Sequence, residues 1–390
     1  MVVSAIVLLL IFLPITITLL LSIEQVQNIV IQRAATFASE KLESKVSIGR
    51  IDIDLLSKVH VYDFYVEDPE QDTLLYVNEA EARISSLNIK RDGLVLTDAL
   101  VDGARFKLRE MASGELNVRP IVNRLTKQKG KSTFKMYIDH IHGSDLRFSY
   151  ERLEHRNPEY GIDYYDMDIR NVECCLEDFK VVEGAVSAEI KEMYALERSG
   201  FEIDDLRGYF NVNMGVIEFE NFVARTKRSN ISIPSFIIDG ENWNEYKQYI
   251  DMVDMRGRVE NSSLSTYDLG FFAPGVRKWD LTLSQVDGSF SGVVRDFMAY
   301  VTHAKVGNET IVEADAQIIG MPEWRTSEYI VSVQNLHTTA QDVELLSQRV
   351  TGKSLEPKVV EIVRNIKSAD VKGTFGGRLS SFRTAGNRSE

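Results

Sequence analysis

The sequence predicts a mainly β protein that begins with a membrane-spanning helix, and two patterns support this prediction. No charged side chain precedes Glu24, whereas from Val46 onward apolar and polar residues alternate with a period of two over most of the chain. The chain has 390 residues, of which 44% are hydrophobic and 26% are charged. That length and composition are typical of a folded protein with two domains or one elongated domain.

Residues 1–23 are the predicted transmembrane anchor. Residues 2–23 are apolar or mildly polar throughout, and a helix of ~20 such residues crosses the ~30 Å hydrocarbon core of a bilayer. A cleaved secretory signal is the alternative, but no Lys or Arg precedes this stretch and residues 22–25 make a poor cleavage site. Nothing later in the sequence repeats the stretch, so we expect a single-pass anchor with the remaining chain in water on one side.

Few helices are predicted beyond the anchor. Apolar residues recur at three- and four-residue spacing over residues 24–44, which predicts an amphipathic helix that caps the strands after it. Further helices are predicted near 119–128, 340–350 and 356–366, and none has the pattern of a crossover helix in a parallel sheet. The apolar positions of the first helix are Val26, Ile29, Val30, Ala34, Phe37, Ala38 and Leu42.

Strands account for most of the remaining chain. The segments 104–109, 134–139, 146–150 and 210–214 alternate apolar with polar side chains, so each predicts a strand with one apolar and one polar face. Short breaks rich in Gly, Pro, Asp and Asn separate the strands. Such breaks favour turns, and we therefore expect consecutive antiparallel pairs in a long meander.

Charge and cysteine content exclude several classes of protein. The net charge of −13 argues against nucleic acid as a partner, because phosphate binding requires a basic face, and it argues against strong adhesion to anionic headgroups. The two cysteines, Cys174 and Cys175, are adjacent, and a strand places adjacent side chains on opposite faces. We expect neither a disulfide framework nor a zinc site, and we interpret them as small buried hydrophobes.

Two segments resemble phosphate-binding or nucleophile motifs but lack a defining residue. Residues 351–354 match the end of a phosphate-binding loop, yet its first glycine is replaced by Ser347. Residues 287–292 match the outline of a nucleophile elbow, yet Phe290 stands where the serine is required. Neither segment predicts catalysis.

The sequence gives equally little support for acid, base or metal-ligating residues. His140 and His142 share one strand face, but no third ligand stands at a suitable spacing, so two solvated histidines are the better interpretation. Acidic neighbours such as Glu177 and Asp178 are interpreted as part of a solvated face. We therefore predict no catalytic residue, no metal site and no cofactor, and we expect that the protein is not an enzyme.

Several segments follow one another in a characteristic order. The anchor and first helix are followed by 46–51 and by 94–117, where a strand precedes a Gly-x-Leu-Asn turn. This order resembles the start of AsmA-like and TamB-like proteins. Further along, 164–167, 197–201 and 226–231 are similar to the TamB-like proteins of Bacteroidetes-type bacteria. The likeness covers nearly the whole chain and corresponds to the N-terminal part of those proteins, so we expect residue 390 to lie inside a longer protein.

This resemblance implies a periplasmic protein tethered to the bacterial inner membrane, with most of the chain in the periplasm. Its body would be an elongated antiparallel β-groove, shaped like a taco, with an apolar inner surface that carries phospholipid between the inner and outer membranes. It also implies three parts: the anchor at 1–23, an AsmA-like segment at 24–128 and a groove segment at 129–390. The implied partners are phospholipid acyl chains, the inner membrane and an outer-membrane barrel protein of the TamA/BamA type.

An apolar strand face must be covered, either by protein or by lipid, and the sequence leaves both open. A lipid-lined groove requires a continuous apolar lining and no particular reactive residue. In an ordinary sandwich the same residues would form the core. The candidate lining is Phe106, Leu108, Phe134, Met136, Ile138, Leu146, Phe148, Phe210, Val212, Met214, Ile217 and Phe219.

Two other functions stay open beside lipid transport. A TamB-type translocation and assembly factor for outer-membrane proteins would act as an interaction scaffold, pairing exposed sheet edges with client strands. A membrane-tethered glycan or lipid hydrolase would need a pocket that holds an acid or nucleophile with a shifted pKa.

Overall fold

The computed structural model describes residues 24–53, 58–86, 94–120, 135–154, 158–182, 185–213, 215–242, 245–323, 325–378 and 381–385. Within these ranges the protein is mainly β with a few short helices, as predicted. None of these helices has the length and apolar character that a bilayer-spanning segment requires. The predicted anchor at 1–23 and the predicted boundary between 128 and 129 lie outside the described residues.

The chain divides into two compact units. The first is formed from residues up to 157 together with 163–200, and the second from 158–162 and 201–390. The elements of the first unit are helix α1 (Glu24–Leu42) and strands β1 (Val46–Ser47), β2 (Arg50–Ile53), β3 (Lys58–Glu67), β4 (Thr73–Ser86), β5 (Leu94–Asp102), β6 (Arg105–Arg109), β7 (Lys135–Glu151), β8 (Asp166–Val182) and β9 (Ala185–Glu197).

The sheet of the first unit departs from the expected meander at one place. β1 and β2 both pair with β3, β3 pairs with β4, and β7, β8 and β9 follow one another, all antiparallel. β5 and β6 lie between β4 and β7, antiparallel to β4 and parallel to β7. The prediction of a wholly antiparallel sheet is therefore wrong here. Parallel neighbours need a long connection, and the chain between Arg109 and Lys135 is long enough to supply it.

The second unit is a meander. Its strands are β10 (Glu202–Ile203), β11 (Asp205–Asn213), β12 (Val216–Arg225), β13 (Asn230–Asp239), β14 (Asp254–Ser265), β15 (Thr282–Val293), β16 (Asp296–Val306), β17 (Thr310–Ile319), β18 (Glu328–Thr339), β19 (Ser368–Arg378) and β20 (Ser381–Ala385). From β11 to β20, each strand pairs antiparallel with the next in the chain. Its helices are α2 (Tyr249–Met252), α3 (Thr266–Leu269), α4 (Ala340–Thr351) and α5 (Pro357–Ile366), with 3-10 turns at Glu245–Gln248 and Pro274–Trp279.

The predicted helices agree with the structure where it describes them. α1, α4 and α5 fall on the segments predicted at 24–44, 340–350 and 356–366, and the helix predicted near 119–128 lies mostly outside the described residues. α1 packs Ala38 and Leu42 against a small core of Val46, Val66 and Leu74. Phe37, assigned by its spacing to the apolar stripe, is 61% exposed. Ile31, in the first half of the helix, is buried although it lies outside the predicted stripe, so burial along α1 departs from the prediction at both positions.

A buried carboxylate holds the β3–β4 turn to the Gly-x-Leu-Asn turn of the sequence. Gly114 has φ +77°, a conformation that glycine adopts without a steric penalty. The turn places Asn117 so that its side-chain amide donates to Asp68 Oδ2 at 3.1 Å, and Arg109 Nε donates to the same oxygen at 2.7 Å. Both Asn117 and the Asp68 carboxylate are fully buried. Two segments far apart in the chain are thus fixed by one carboxylate.

Asp342 holds the turn between β16 and β17 in the same manner. Its buried carboxylate accepts hydrogen bonds from the backbone N–H groups of Asn308, Glu309 and Thr310 at 2.9, 2.8 and 2.9 Å, and from the Thr310 hydroxyl at 2.9 Å. Burial by itself raises the pKa of Asp342, but these hydrogen bonds favour the ionised form more strongly, so its pKa lies below the ordinary value. The carboxylate therefore fastens α4 to the hairpin.

We predict that Asp342→Ala opens the β16–β17 turn. Loss of the acceptor leaves three turn N–H groups without their partner, at a cost of about 2 kcal/mol, so their hydrogen exchange should become roughly thirtyfold faster. Exchange measured by mass spectrometry on peptides covering 306–312 tests this. Asp370→Ala is the control, because the Asp370 side chain is exposed and pairs with His337 across the sheet, away from the β16–β17 turn, and it should leave that exchange unchanged.

The pH dependence of the same exchange depends on the lowered pKa of Asp342. Protection by ionised Asp342 is fully present above the ordinary carboxyl pKa of 3.8 and is lost as the pH falls through the lower pKa of the folded state. The ratio of exchange rates between Asp342→Ala and the parent protein should therefore be constant near neutral pH and shrink only below about pH 4. A ratio that already falls between pH 7 and pH 5 would contradict this assignment.

Candidate functional site

An apolar face runs across the second unit, and the strand register defines it. Residues directly opposite each other in antiparallel strands share a face of the sheet. The pairing links Phe210 to Phe219 and Phe219 to Phe236, and continues strand by strand. The resulting central row is Phe210, Phe219, Phe236, Gly257, Phe290, Ala299, Ala316, Val331 and Phe375.

A second apolar row lies beside the first. Positions two residues apart on a strand point to the same face, so this row belongs to the same surface. We call the two rows together the apolar face. The members of the second row are Val212, Ile217, Ile238, Met255, Gly292, Phe297, Ile318, Tyr329 and Gly377.

On the opposite face of the same strands, the row behind the central row is polar, whereas the row beside it also contains Ile237, Met298 and Ile330. The register that aligns the phenylalanines also aligns a row of hydroxyl and charged side chains between them. Neighbouring strands are linked on this face by side chains, for example Gln334 to Asp315 at 2.7 Å and Asn211 to Glu218 at 2.9 Å. The polar row is Tyr209, Glu220, Ser235, Arg258, Ser289, Tyr300, Asp315, Ser332 and Thr374.

Aromatic rings make the central row continuous. Phe219 and Phe236 have ring centroids 5.6 Å apart, Phe236 and Phe290 5.5 Å, and Phe290 and Phe297 5.7 Å. Gly257 makes this contact possible, because a Cβ at that position would lie 2.3 Å from Phe290 Cζ. Glycine within a strand often marks such a close approach. The ring of Phe290 therefore lies over Gly257 and joins the rings on either side.

The apolar face is only partly covered. Every non-glycine member of its two rows is half-buried, and none is among the fully buried side chains of the described chain. Full burial is reached on the same face just beyond these rows, at Ala314, which lies two residues from Ala316 on β17 and is 7% exposed. Burial raises the pKa of Tyr329, so even its phenol lies in a partly apolar environment. A surface of this composition can hold apolar ligands by undirected contact.

The predicted lining residues are distributed over both units. Phe210, Val212, Ile217 and Phe219 come together on the apolar face. Phe134 and Met214 lie outside the described residues. The other six, Phe106, Leu108, Met136, Ile138, Leu146 and Phe148, belong to the first unit.

In the first unit, Phe106 and Phe148 are directly opposite and stacked, with centroids 6.0 Å apart. The row extends to Leu75 on one side and Ile169 on the other. Leu108 pairs with Tyr150, and Leu146 pairs with Val172.

Ile138 has a different environment from Phe148. It is 7% exposed and forms a small core with Leu96 and Ala99, against which Met136 packs. Protein side chains therefore already cover Ile138.

The strongest contributors to the apolar face were missed by sequence reasoning. They are Phe236, Phe290, Phe297 and Phe375, all in strands beyond residue 219. The alternation in residues 286–292 is a signal that could have found Phe290, because it lies between Ser289 and Ser291. Which strands place their apolar residues in one continuous row depends on register, which alternation alone does not give.

His140, His142 and Cys175 occupy a polar, partly exposed region of the first unit. His140 Nδ1 lies 3.8 Å from Glu177 Oε1, and His142 Nδ1 lies 3.2 Å from Cys175 Sγ. Cys174 is buried on the other side of β8, which confirms the prediction that the two cysteines point to opposite faces. The interpretation of both as small buried hydrophobes is correct for Cys174 and wrong for Cys175, which is half-buried and donates a hydrogen bond to Glu192. In the part of the chain that the structure describes, no group of three potential ligands is close enough to hold a metal ion.

The pKa of one acidic side chain, Asp163, is raised above its ordinary value, which is the direction a hydrolase would use. Burial raises the pKa of Asp163, which accepts a hydrogen bond from the backbone N–H of Tyr165 at 2.9 Å. Nearby Asp166 is paired with Arg198 at 2.8 Å. Asp163 thus closes its own turn, a structural role that accounts for its position.

A scan against protein-family models finds no match to this chain, and a search of the curated proteins finds none either.

We predict that Gly257→Ala destabilises the second unit by about 1–3 kcal/mol, because the new methyl group must displace the Phe290 ring. Urea unfolding followed by circular dichroism measures the change. Gly376→Ala is the matched control, since the nearest atom to a Cβ there is 3.9 Å away. Adding Phe290→Ala to Gly257→Ala should make the two effects non-additive by about 1 kcal/mol. Strictly additive effects would show that the ring does not occupy this position.

Proposed function

We propose that the apolar face of β11–β19 binds phospholipid acyl chains and carries phospholipid along the sheet. The chain would be fixed to the bacterial inner membrane by residues 1–23, with most of it in the periplasm, as the resemblance to TamB-like and AsmA-like proteins implies. The supporting observation is the apolar face itself, whose half-buried side chains follow one another from strand to strand.

The energetics of such a surface suit transport better than storage. Burying a methylene group contributes about 0.8 kcal/mol, so about five methylenes on the face contribute about 4 kcal/mol, which corresponds to a dissociation constant near 1 mM. Apolar contact has no preferred direction, and neighbouring positions along the rows offer similar side chains. A lipid held this weakly at each position can move to the next.

The proposal also accounts for the chemistry of the face. Phe219, Phe236 and Phe290 carry no reactive group, and a conduit for acyl chains requires none. The polar row on the other side of the strands keeps that surface in contact with water. A single sheet can therefore separate hydrocarbon from water across its own thickness.

We expect a photo-reactive amino acid at position 219 to cross-link phospholipid in cells. Position 219 lies in the central row, and acyl chains there would be within bonding distance of the probe. The matched control is position 220, the next residue on β12, which is exposed and belongs to the polar row. Purified adducts identified by mass spectrometry decide the outcome. Capture of an outer-membrane protein at position 219 instead of lipid would favour the assembly factor and its barrel partner.

We expect Val212→Asp to reduce lipid capture at position 219 by at least tenfold, since a carboxylate on the apolar face must be desolvated when an acyl chain covers it. Asn213→Asp adds the same charge at the next residue of β11, on the other face, and should leave capture unchanged. Circular dichroism verifies that both variants fold. Equal lipid capture by both variants would exclude the apolar face as the binding surface.

A further inference from the structure

A second apolar surface lies on helix α5, away from the strands. Val359, Ile362 and Ile366 stand at helical spacing on one side of α5 and are 39%, 59% and 58% exposed. β-Branched residues with this exposure form a continuous stripe on a ten-residue helix. We call these three residues the α5 stripe.

The orientation of the stripe is fixed by the neighbouring helix. Arg364 binds Glu344 of α4 through two hydrogen bonds of 2.7 and 3.0 Å. Val360 and Val363 are half-buried, in contrast to the three residues of the stripe. α5 therefore holds one side towards α4 and keeps the stripe exposed.

The charge around the stripe is opposite to that of the whole chain. Residues 349–367 contain five Lys or Arg and only two Glu, whereas the protein carries a net charge of −13. Arg349 and Arg364 are engaged by Asp280 and Glu344. Lys353, Lys358 and Lys367 are exposed, and the described residues include no ion pair to them. With both arginines paired, three lysines and two glutamates remain, so a small positive excess lies around the stripe, within the ~10 Å over which salt leaves charges unscreened.

We propose that α5 lies on the surface of an anionic phospholipid bilayer. The stripe would enter the boundary between headgroups and acyl chains, and Lys353, Lys358 and Lys367 would contact lipid phosphates. An apolar stripe flanked by lysines on a helix is the combination that interfacial helices use. This contact is independent of lipid binding on the apolar face of β11–β19.

A second copy of the chain fits the stripe less well. In a two-fold dimer the same patch faces itself, so a patch with three unpaired lysines and two glutamates would meet a second patch of the same net positive charge. Two patches of the same net charge repel each other, which disfavours the dimer. Phosphate groups of a bilayer offer the opposite charge over the same area.

The test uses the full chain embedded in nanodiscs of phosphatidylcholine, to which sedimentable vesicles are added. We expect the protein to co-sediment with vesicles that contain phosphatidylglycerol, and not with phosphatidylcholine vesicles, and the binding to weaken as salt is raised. Replacing Lys353, Lys358 and Lys367 together by Gln should weaken it roughly hundredfold. Val212→Asp on β11 should leave it unchanged, which separates this surface from the proposed lipid conduit.

A dansyl amino acid at position 362 reports insertion directly. Its emission should shift to shorter wavelength with phosphatidylglycerol vesicles, and the same probe at exposed Glu361, outside the stripe, should shift less. The double variant Ile362→Gln, Ile366→Gln changes two side chains that are already exposed. It should therefore unfold at the same temperature as the parent protein but no longer co-sediment with phosphatidylglycerol vesicles. Co-sedimentation that survives both these changes and the lysine replacements would overturn the proposal. So would a shift at position 362 that depends on protein concentration without vesicles, since that identifies a second copy as the occupant.

Discussion

Strand register is the constraint on which the second unit depends. A one-residue slip between two strands moves every side chain of the shifted strand to the other face. Slippage of β15 would place Phe290 among Ser235, Arg258 and Tyr300, and the central row would end there. The apolar face is continuous because, in the central part of each pairing from β11 to β19, residues of the apolar face lie opposite residues of the apolar face. Hydrophobic contact between rows then strengthens a register that hydrogen bonds alone would permit to shift.

Carboxylates at the strand ends fix the turns on which that register depends. Asp342 binds the β16–β17 turn, and Asp268 of α3 accepts hydrogen bonds from Thr226 and Ser229 in the β12–β13 turn, both at 2.6 Å. Asp68 has the corresponding role in the first unit. A buried carboxylate is costly unless its oxygens are saturated by donors. Backbone N–H groups, hydroxyls and a guanidinium donate to the oxygens of these carboxylates. Because each donor must stay within hydrogen-bond distance, the carboxylates hold the turns in one conformation.

Sequence patterns predicted the helices and strands, whose residues are close in the chain, and missed the contacts between residues that are distant in the chain. Helices α4 and α5 and the two-faced strands are predictable from periodicity, since every residue of the pattern lies within a few positions of the next. The parallel pairing of β5 and β6 with β7 leaves no such pattern, because the strands are separate in sequence. Asp342 and Asn117 resemble solvated polar residues until the fold brings their partners to them. Likewise, four residues of the predicted lining lie on the apolar face. Phe290, a central member of that face, was considered in the sequence only because it stands where a nucleophile elbow requires serine.

The order of the strands from β11 to β20 has a consequence for how the chain is made. Each strand pairs with the strand that precedes it in the chain, and where the connection is short, as between β11 and β12 or between β15 and β16, closing the hairpin costs little loop entropy. A polypeptide that is synthesised from its N-terminus can therefore add one strand at a time to a growing edge, without waiting for distant segments to emerge. Synthesis and assembly of this unit can proceed in step.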